Sequence, residues 1–204
     1  MGKYIVEFIG TFFLVLTVGL SANPLAIGAV LAVLVYMGGY ISGAHYNPAV
    51  TLGIWIQKKI TTREASYYML TQLVAALAAA GVYQVLRGDK MIVTPGHGFS
   101  FGAALLAEIL FTFLLVSVVL HTAVSKKVVG NQYYGLAIGF ALLVGAYSVG
   151  PISGGAFNPA VGLGPNLYNF TYLSHHLSNI LLYLIGPLVG GLIASLVYTE
   201  TLKK

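Results

Sequence analysis

The chain has 204 residues, 58% of them hydrophobic and 7% charged, with a mean hydropathy of +0.88. Soluble domains carry about 25% charged residues to keep their surface in water, so a soluble globule, a disordered segment and a nucleic-acid-binding domain are excluded, and the composition is that of an integral membrane protein. The net charge of +5 reflects 10 Lys+Arg against 5 Asp+Glu, and the lack of cysteine excludes disulfides, thiolate catalysis and cysteine-based metal sites.

In chain order, six apolar stretches reach the roughly 20 residues a helix needs to cross a bilayer: residues 4–22, 24–42, 65–86, 100–122, 132–150 and 177–198. Two shorter ones, 48–57 and 159–168, read as half-spans, since about ten residues at 1.5 Å each rise only about 15 Å. The first stretch reads as a span and not a cleaved signal, because only Lys3 precedes it and its apolar run carries Glu7. Val6 occupies the position where N-myristoylation needs Ser or Thr. With 14 Tyr and one Trp, any aromatic belt at the membrane surfaces must be mostly tyrosine.

If six spans alternate, Lys3, Lys58, Lys59, Arg63, Lys126, Lys127, Lys203 and Lys204 share one side, and only Arg87 and Lys90 face the other. The positive-inside rule then places both termini in the cytoplasm, in a protein expected in the cell membrane.

The two halves repeat. Ile41-Ser42-Gly43-Ala44-His45-Tyr46-Asn47-Pro48-Ala49-Val50 matches Ile152-Ser153-Gly154-Gly155-Ala156-Phe157-Asn158-Pro159-Ala160-Val161 at seven of ten positions, offset by 111. Upstream, Glu7-x-x-x-Thr11-Phe12 matches Glu108-x-x-x-Thr112-Phe113 at an offset of 101. Each half of this single membrane domain, about 1–88 and 100–204, is therefore two spans, a half-span and a third span. Three is odd, so the second half is inverted. Inverted repeats with broken helices build their site near the midplane.

Pro48 and Pro159 read as first residues of helices, with Asn47 and Asn158 as N-caps. Two half-helices from opposite leaflets then meet tip to tip at Asn47-Pro48-Ala49 and Asn158-Pro159-Ala160, each tip carrying roughly half a positive charge. A small polar molecule crossing there meets two amide donors aimed at its oxygen. Water held that way turns both hydrogens outward, which interrupts a proton wire, and the positive helix ends repel cations. Glu7 and Glu108, the only acids deep in spans, read as acceptors for the re-entrant loop of their own half, with a proton-coupling site as the second reading.

On these paired Asn-Pro-Ala-Val and Glu-x-x-x-Thr motifs the chain resembles, over essentially its whole length, the aquaporin and glycerol-facilitator family of major intrinsic proteins. The resemblance implies an all-α membrane fold of six transmembrane helices and two re-entrant half-helices. It also implies a homotetramer with one pore per subunit and passive transport of water or small uncharged solutes; no cofactor is expected. By the same resemblance the outer constriction falls at Ile27, Ala146, Gly155 and Val161. Most relatives carry arginine where Val161 stands, so this ring has no charge and no side-chain donor and is expected to be wider and less polar. Losing a fixed cation also removes a barrier to protons and cations. Tyr147, beside Ala146, is placed to narrow the ring. Gly162 stands where glycerol-conducting relatives usually have Asp, and Tyr183-Leu184 before Pro187 matches half of the aromatic pair found in water channels. Neither strict water selectivity nor ordinary glycerol specificity is expected.

His45 reads as a satisfied structural histidine, with pH gating as the alternative. Adjacent His175 and His176 do not make a metal site, and His97 and His121 read as loop and span-end residues. Asn169-Phe170-Thr171 matches a glycosylation sequon, and Gly135/Gly139 and Gly186/Gly190 have the spacing for close helix packing within the subunit. Three competing functions stand beside a water channel. One is a broad facilitator of glycerol, urea, ammonia and hydrogen peroxide, with water secondary. An alternating-access transporter shares the inverted repeat but needs coupling carboxylates or a charged clamp near the junction. A scaffold with a closed pore wants longer tails. An intramembrane enzyme has no Ser/His, paired-Asp or zinc signature to support it.

Overall fold

The structure is a computed structural model that describes residues 1–169, 171 and 177–201; His175, His176, Lys203 and Lys204 lie outside the described residues. The membrane-spanning helices are α1 (Gly2–Ser21), α2 (Pro24–Ser42), α4 (Thr62–Arg87), α5 (Phe101–Val119), α6 (Tyr134–Ser153) and α8 (Leu177–Thr201). Between them lie two short helices, α3 (Pro48–Ile56) and α7 (Pro159–Tyr168). The expected six spans and two half-spans are all present. One departure is local: α5 runs on into a π-helical turn, Leu120–Val124, that no residue pattern announces.

Cap residues set the helix ends. Ala22 turns left-handed (φ 46°) to close α1, and Asn23 caps α2 by accepting from the Leu25 N–H at 2.9 Å, so the α1–α2 connection is only Ala22-Asn23. Thr61 and Glu64 form a capping box on α4, and Glu64 also pairs with Lys3 of α1. Gly43, Gly88 and Gly154 end α2, α4 and α6 with φ of 87°, 81° and 88°, a conformation that favours glycine.

The halves pack as an inverted pair. α1 lies on α2 and α4 as α5 lies on α6 and α8, and the halves lock through α2 on α6, α3 on α8 and α7 on α4. Each half-helix thus leans on the last span of the other half. α2 and α6 cross at Gly28 and Gly139, where a Cβ on Gly28 would stand 2.7 Å from the Gly139 carbonyl oxygen. Gly190 meets the α5 backbone at Ile109 in the same manner, Gly186 meets the Glu108 Cβ, and Gly135 meets the Tyr36 ring. All four glycines of the spaced pairs therefore serve contacts within the subunit. Exposed tyrosines gather near helix ends, Tyr40 and Tyr133 on the face where the termini lie and Tyr147 and Tyr168 on the opposite face.

Gly139→Ala should destabilise the fold by about 1–3 kcal/mol, because its methyl would collide with the Gly28 carbonyl. Gly102→Ala, whose nearest neighbour would be 4.0 Å away, should be neutral or stabilising. Thermal unfolding followed by circular dichroism in detergent measures both.

Candidate pore

Residues 43–46 and 154–157 leave helical geometry in the same way. φ is positive at Gly43, Ala44 and Tyr46, and at Gly154, Gly155 and Phe157. Left-handed backbone disfavours Ala, Tyr and Phe, and backbone N–H groups at membrane depth need acceptors. Two buried carboxylates meet that need. Glu7 Oε1 accepts from the Ser42 hydroxyl at 2.7 Å and the His45 N–H at 2.9 Å, and Oε2 accepts from the Tyr46 N–H and the Gln72 side-chain amide, both at 2.8 Å. Glu108 Oε1 accepts from the Ser153 hydroxyl at 2.8 Å and the Ala156 N–H at 3.0 Å, and Oε2 accepts from the Phe157 N–H at 2.7 Å. The Tyr68 and Tyr183 hydroxyls donate to the Ser42 and Ser153 carbonyls at 2.8 and 2.6 Å. Gln72 and Tyr68 were not evident as site residues from the sequence, where they are two polar positions on one face of a long span.

This anchoring orients the other side of each peptide. A trans peptide points its carbonyl away from its N–H. With the N–H groups of 44–46 and 155–157 turned to Glu7, Glu108, Ser42 and Ser153, the carbonyls of 43–45 and 154–156 turn the opposite way. Ala44, His45, Gly155 and Ala156 line an internal cavity.

At the junction Asn47 Oδ1 accepts from the Ala49 N–H at 2.8 Å, and Asn158 Oδ1 accepts from the Ala160 N–H at 2.9 Å, which caps α3 and α7. One N–H of Asn47 donates across the repeat to the Phe157 carbonyl at 2.9 Å, and one of Asn158 to the Tyr46 carbonyl at 2.9 Å. A side-chain amide has two such hydrogens. The second of each is left for the cavity, which both asparagines line. Pro48, Ala49, Pro159 and Ala160 are buried behind them.

Three cavities follow one another through this point. The central one, narrow at about 20 Å³, is lined by Asn47, Asn158, His45 and ten Leu, Ile and Val side chains. It shares Ala44, His45, Val119 and Ile138 with a vestibule of about 670 Å³ on the face of the termini. It shares Val18, Ile27 and Gly155 with one of about 550 Å³ on the opposite face. Ile27 and Gly155 thus stand where the central cavity meets that second vestibule, Val161 lines the cavity, and Ala146 and the exposed Tyr147 line the vestibule. His45 is buried, its Nδ1 3.1 Å from Thr51 Oγ1, and Thr51 Oγ1 accepts from Gln72 at 3.1 Å. Among the described residues no three His, Asp or Glu side chains group as metal ligands. Asn169 of the sequon is buried and accepts from Lys90 at 3.4 Å; Phe170 lies outside the described residues.

Glu108→Gln should cost about 1–3 kcal/mol of stability, since its amide turns a donor toward a buried N–H that now has an acceptor. Unfolding in detergent checks this.

A family model described as "MIP: Major intrinsic protein" matches residues 1–198. Aquaporin AqpM of Methanothermobacter marburgensis is 34% identical, the match covering 96% of this chain and 95% of that protein. Probable aquaporin TIP2-2 of Oryza sativa subsp. japonica is 37% identical over 96% of this chain and 85% of its own length. The X-ray structure of the aquaglyceroporin from Plasmodium falciparum shares the fold, with a TM-score of 0.80 at 20% identity over 98% of this chain and 96% of that one. Fold, paired motifs and relatives agree: the chain belongs to the major intrinsic protein family.

Proposed function

We propose that the protein is a passive, gradient-driven channel for water and small uncharged solutes, which pass along the three successive cavities. The observation that carries this reading is the pair of asparagine amides at the junction, each held by one N–H to the backbone of the other half and free to offer the second to a solute oxygen. Ile27, Ala146, Gly155 and Val161 form the selectivity ring, and Glu7 and Glu108 hold the loops that line the passage. The ring's small apolar side chains favour solutes wider than water as well as water itself. His45, facing the passage from the side of the termini, is the candidate gating group.

The functional unit is one membrane domain of two repeats, about 1–88 and 100–204, assembled as a homotetramer in the cell membrane with both termini cytoplasmic. The excess of Lys and Arg on the face of the termini supports that orientation. Because the chain has no cysteine, single-cysteine labelling reads it directly. Lys58→Cys should react with an impermeant reagent only from the cytoplasm, and Lys90→Cys only from outside.

Liposomes carrying the protein should shrink under an impermeant osmolyte faster than bare ones, and then re-swell in glycerol or urea. Val161→Arg should lower the glycerol-to-water permeability ratio by roughly tenfold, equivalent to about 1.4 kcal/mol of added barrier. An unchanged ratio overturns the ring assignment. Flux that saturates and needs a sodium or proton gradient would establish a transporter in place of a channel.

A further inference from the structure

We propose that Asn166 is a specificity-determining positioning residue: it clamps residues 88–100, the loop between the two halves, against α7 and so sets the aperture of the ring. The inference rests on the channel reading above and concerns a residue that touches no solute.

Asn166 is fully buried on the half-helix α7. Its Oδ1 accepts from the Val93 N–H at 3.0 Å and its Nδ2 donates to the Val93 carbonyl at 2.8 Å. One side-chain amide thus satisfies both backbone groups of one loop residue, as a neighbouring strand would. Burying a primary amide is costly unless it is paired, so an apolar side chain would pack α7 at lower cost. The amide specifies where the loop lies. Three further bonds hold the same loop: Lys90 donates to Asn169, Asn179 donates to the Thr94 hydroxyl at 3.3 Å, and the Gly96 N–H donates to the Ile152 carbonyl at 3.1 Å.

The loop abuts the ring itself. Met91 and Val93 are buried in the same apolar cluster as Val161. The Thr94 carbonyl lies against Gly154, where a Cβ would stand 2.7 Å from its oxygen, one residue from Gly155. Ile92 and Thr94 line the vestibule beside Ala146. None of the four ring residues carries a long polar side chain of its own to adjust the width. The ring's cross-section depends on where the 154–156 backbone and the first turn of α7 are held, and close-packed neighbours decide that. The first half has no such clamp: the position offset by 111 is Trp55, whose indole N–H donates to the nearby Thr62 hydroxyl.

The test compares water and glycerol permeability of wild type, Asn166→Leu and Asn166→Asp in liposomes, with amide hydrogen exchange at Val93 in parallel. Asn166→Leu keeps volume and removes both bonds. It should retain water flux, lose protection at Val93, and raise the glycerol-to-water ratio roughly three- to tenfold, the fold-change of about one neutral hydrogen bond. Asn166→Asp keeps the acceptor but sets a carboxyl oxygen against the Val93 carbonyl, so it too should lose protection at Val93 and raise the ratio. Lost protection with an unchanged ratio overturns the inference, and so does equal loss of both fluxes in folded protein. If Asn166→Leu does not fold, Met91→Ala trims the loop without touching α7 and should raise the ratio in the same direction; no change there overturns it. Wild-type protein that passes no water would instead sink the channel reading, and the inference with it.

Discussion

Within a hydrocarbon core each unpaired backbone N–H costs several kcal/mol, yet this fold stops two helices at mid-depth and bends the chain through six left-handed residues. Glu7 and Glu108 make that arrangement affordable. Each gathers the N–H groups of one loop, together with a serine hydroxyl that itself receives the next N–H. Their oxygens accept from N–H groups that have no helical partner, and in doing so they turn the carbonyls of the same peptides toward the passage. The support of the loop and the lining of the pore are two sides of the same peptide planes. A change that loosened the first would disorder the second.

The inverted symmetry is close in the backbone and broken in the side chains. Glu7 accepts from four donors and Glu108 from three, the difference being Gln72. At the position offset by 111 stands Tyr183, whose hydroxyl reaches the Ser153 carbonyl and whose ring covers Gly162, the counterpart of Thr51. His45 corresponds to Ala156. A chain of polar contacts, His45 to Thr51 to Gln72 to Glu7, therefore runs from the passage into the first half, while the second half presents Ala156, Gly162 and a tyrosine ring at those positions. The side-chain polar network of His45, Thr51 and Gln72 around the loops is thus confined to the first half.

Much of the architecture is legible in the sequence because membranes impose simple lengths. Twenty apolar residues against ten separates spans from half-spans, and Asn-Pro marks where α3 and α7 begin, since proline at the first helical position and asparagine before it are favoured for local reasons. The repeat offset then pairs the halves. The partners that complete the loops were not legible. Gln72 lies 65 residues from Glu7, and Asn166 lies 73 from Val93. Nothing in a single sequence distinguishes a buried amide that closes such a contact from one that faces a loop or a lipid headgroup. The proposed ring positions Ile27, Ala146, Gly155 and Val161 are chemically ordinary residues with no local sequence signal of their own. The π-helical turn after α5 likewise has no residue pattern that announces it.

The proposed ring carries no arginine, so on that reading any exclusion of ions rests on the lining of the central cavity. The central cavity offers ten aliphatic side chains and, apart from His45, only two asparagine amides and the backbone carbonyls of the two loops as polar groups. A small ion entering it would exchange a full hydration shell for a few fixed dipoles, and desolvating an ion costs several kcal/mol even after a protein relaxes around it. The facing N-termini of α3 and α7 add a positive potential at the junction of the two halves, roughly half a charge from each. A neutral solute gives up only the few hydrogen bonds that the carbonyls and amides replace, at about 1 kcal/mol net for each that is not replaced. On the proposed ring, dehydration and the helix ends are the terms left to discriminate by charge. A ring of that composition would give up discrimination among neutral molecules by width and by the hydrogen bonds they need there.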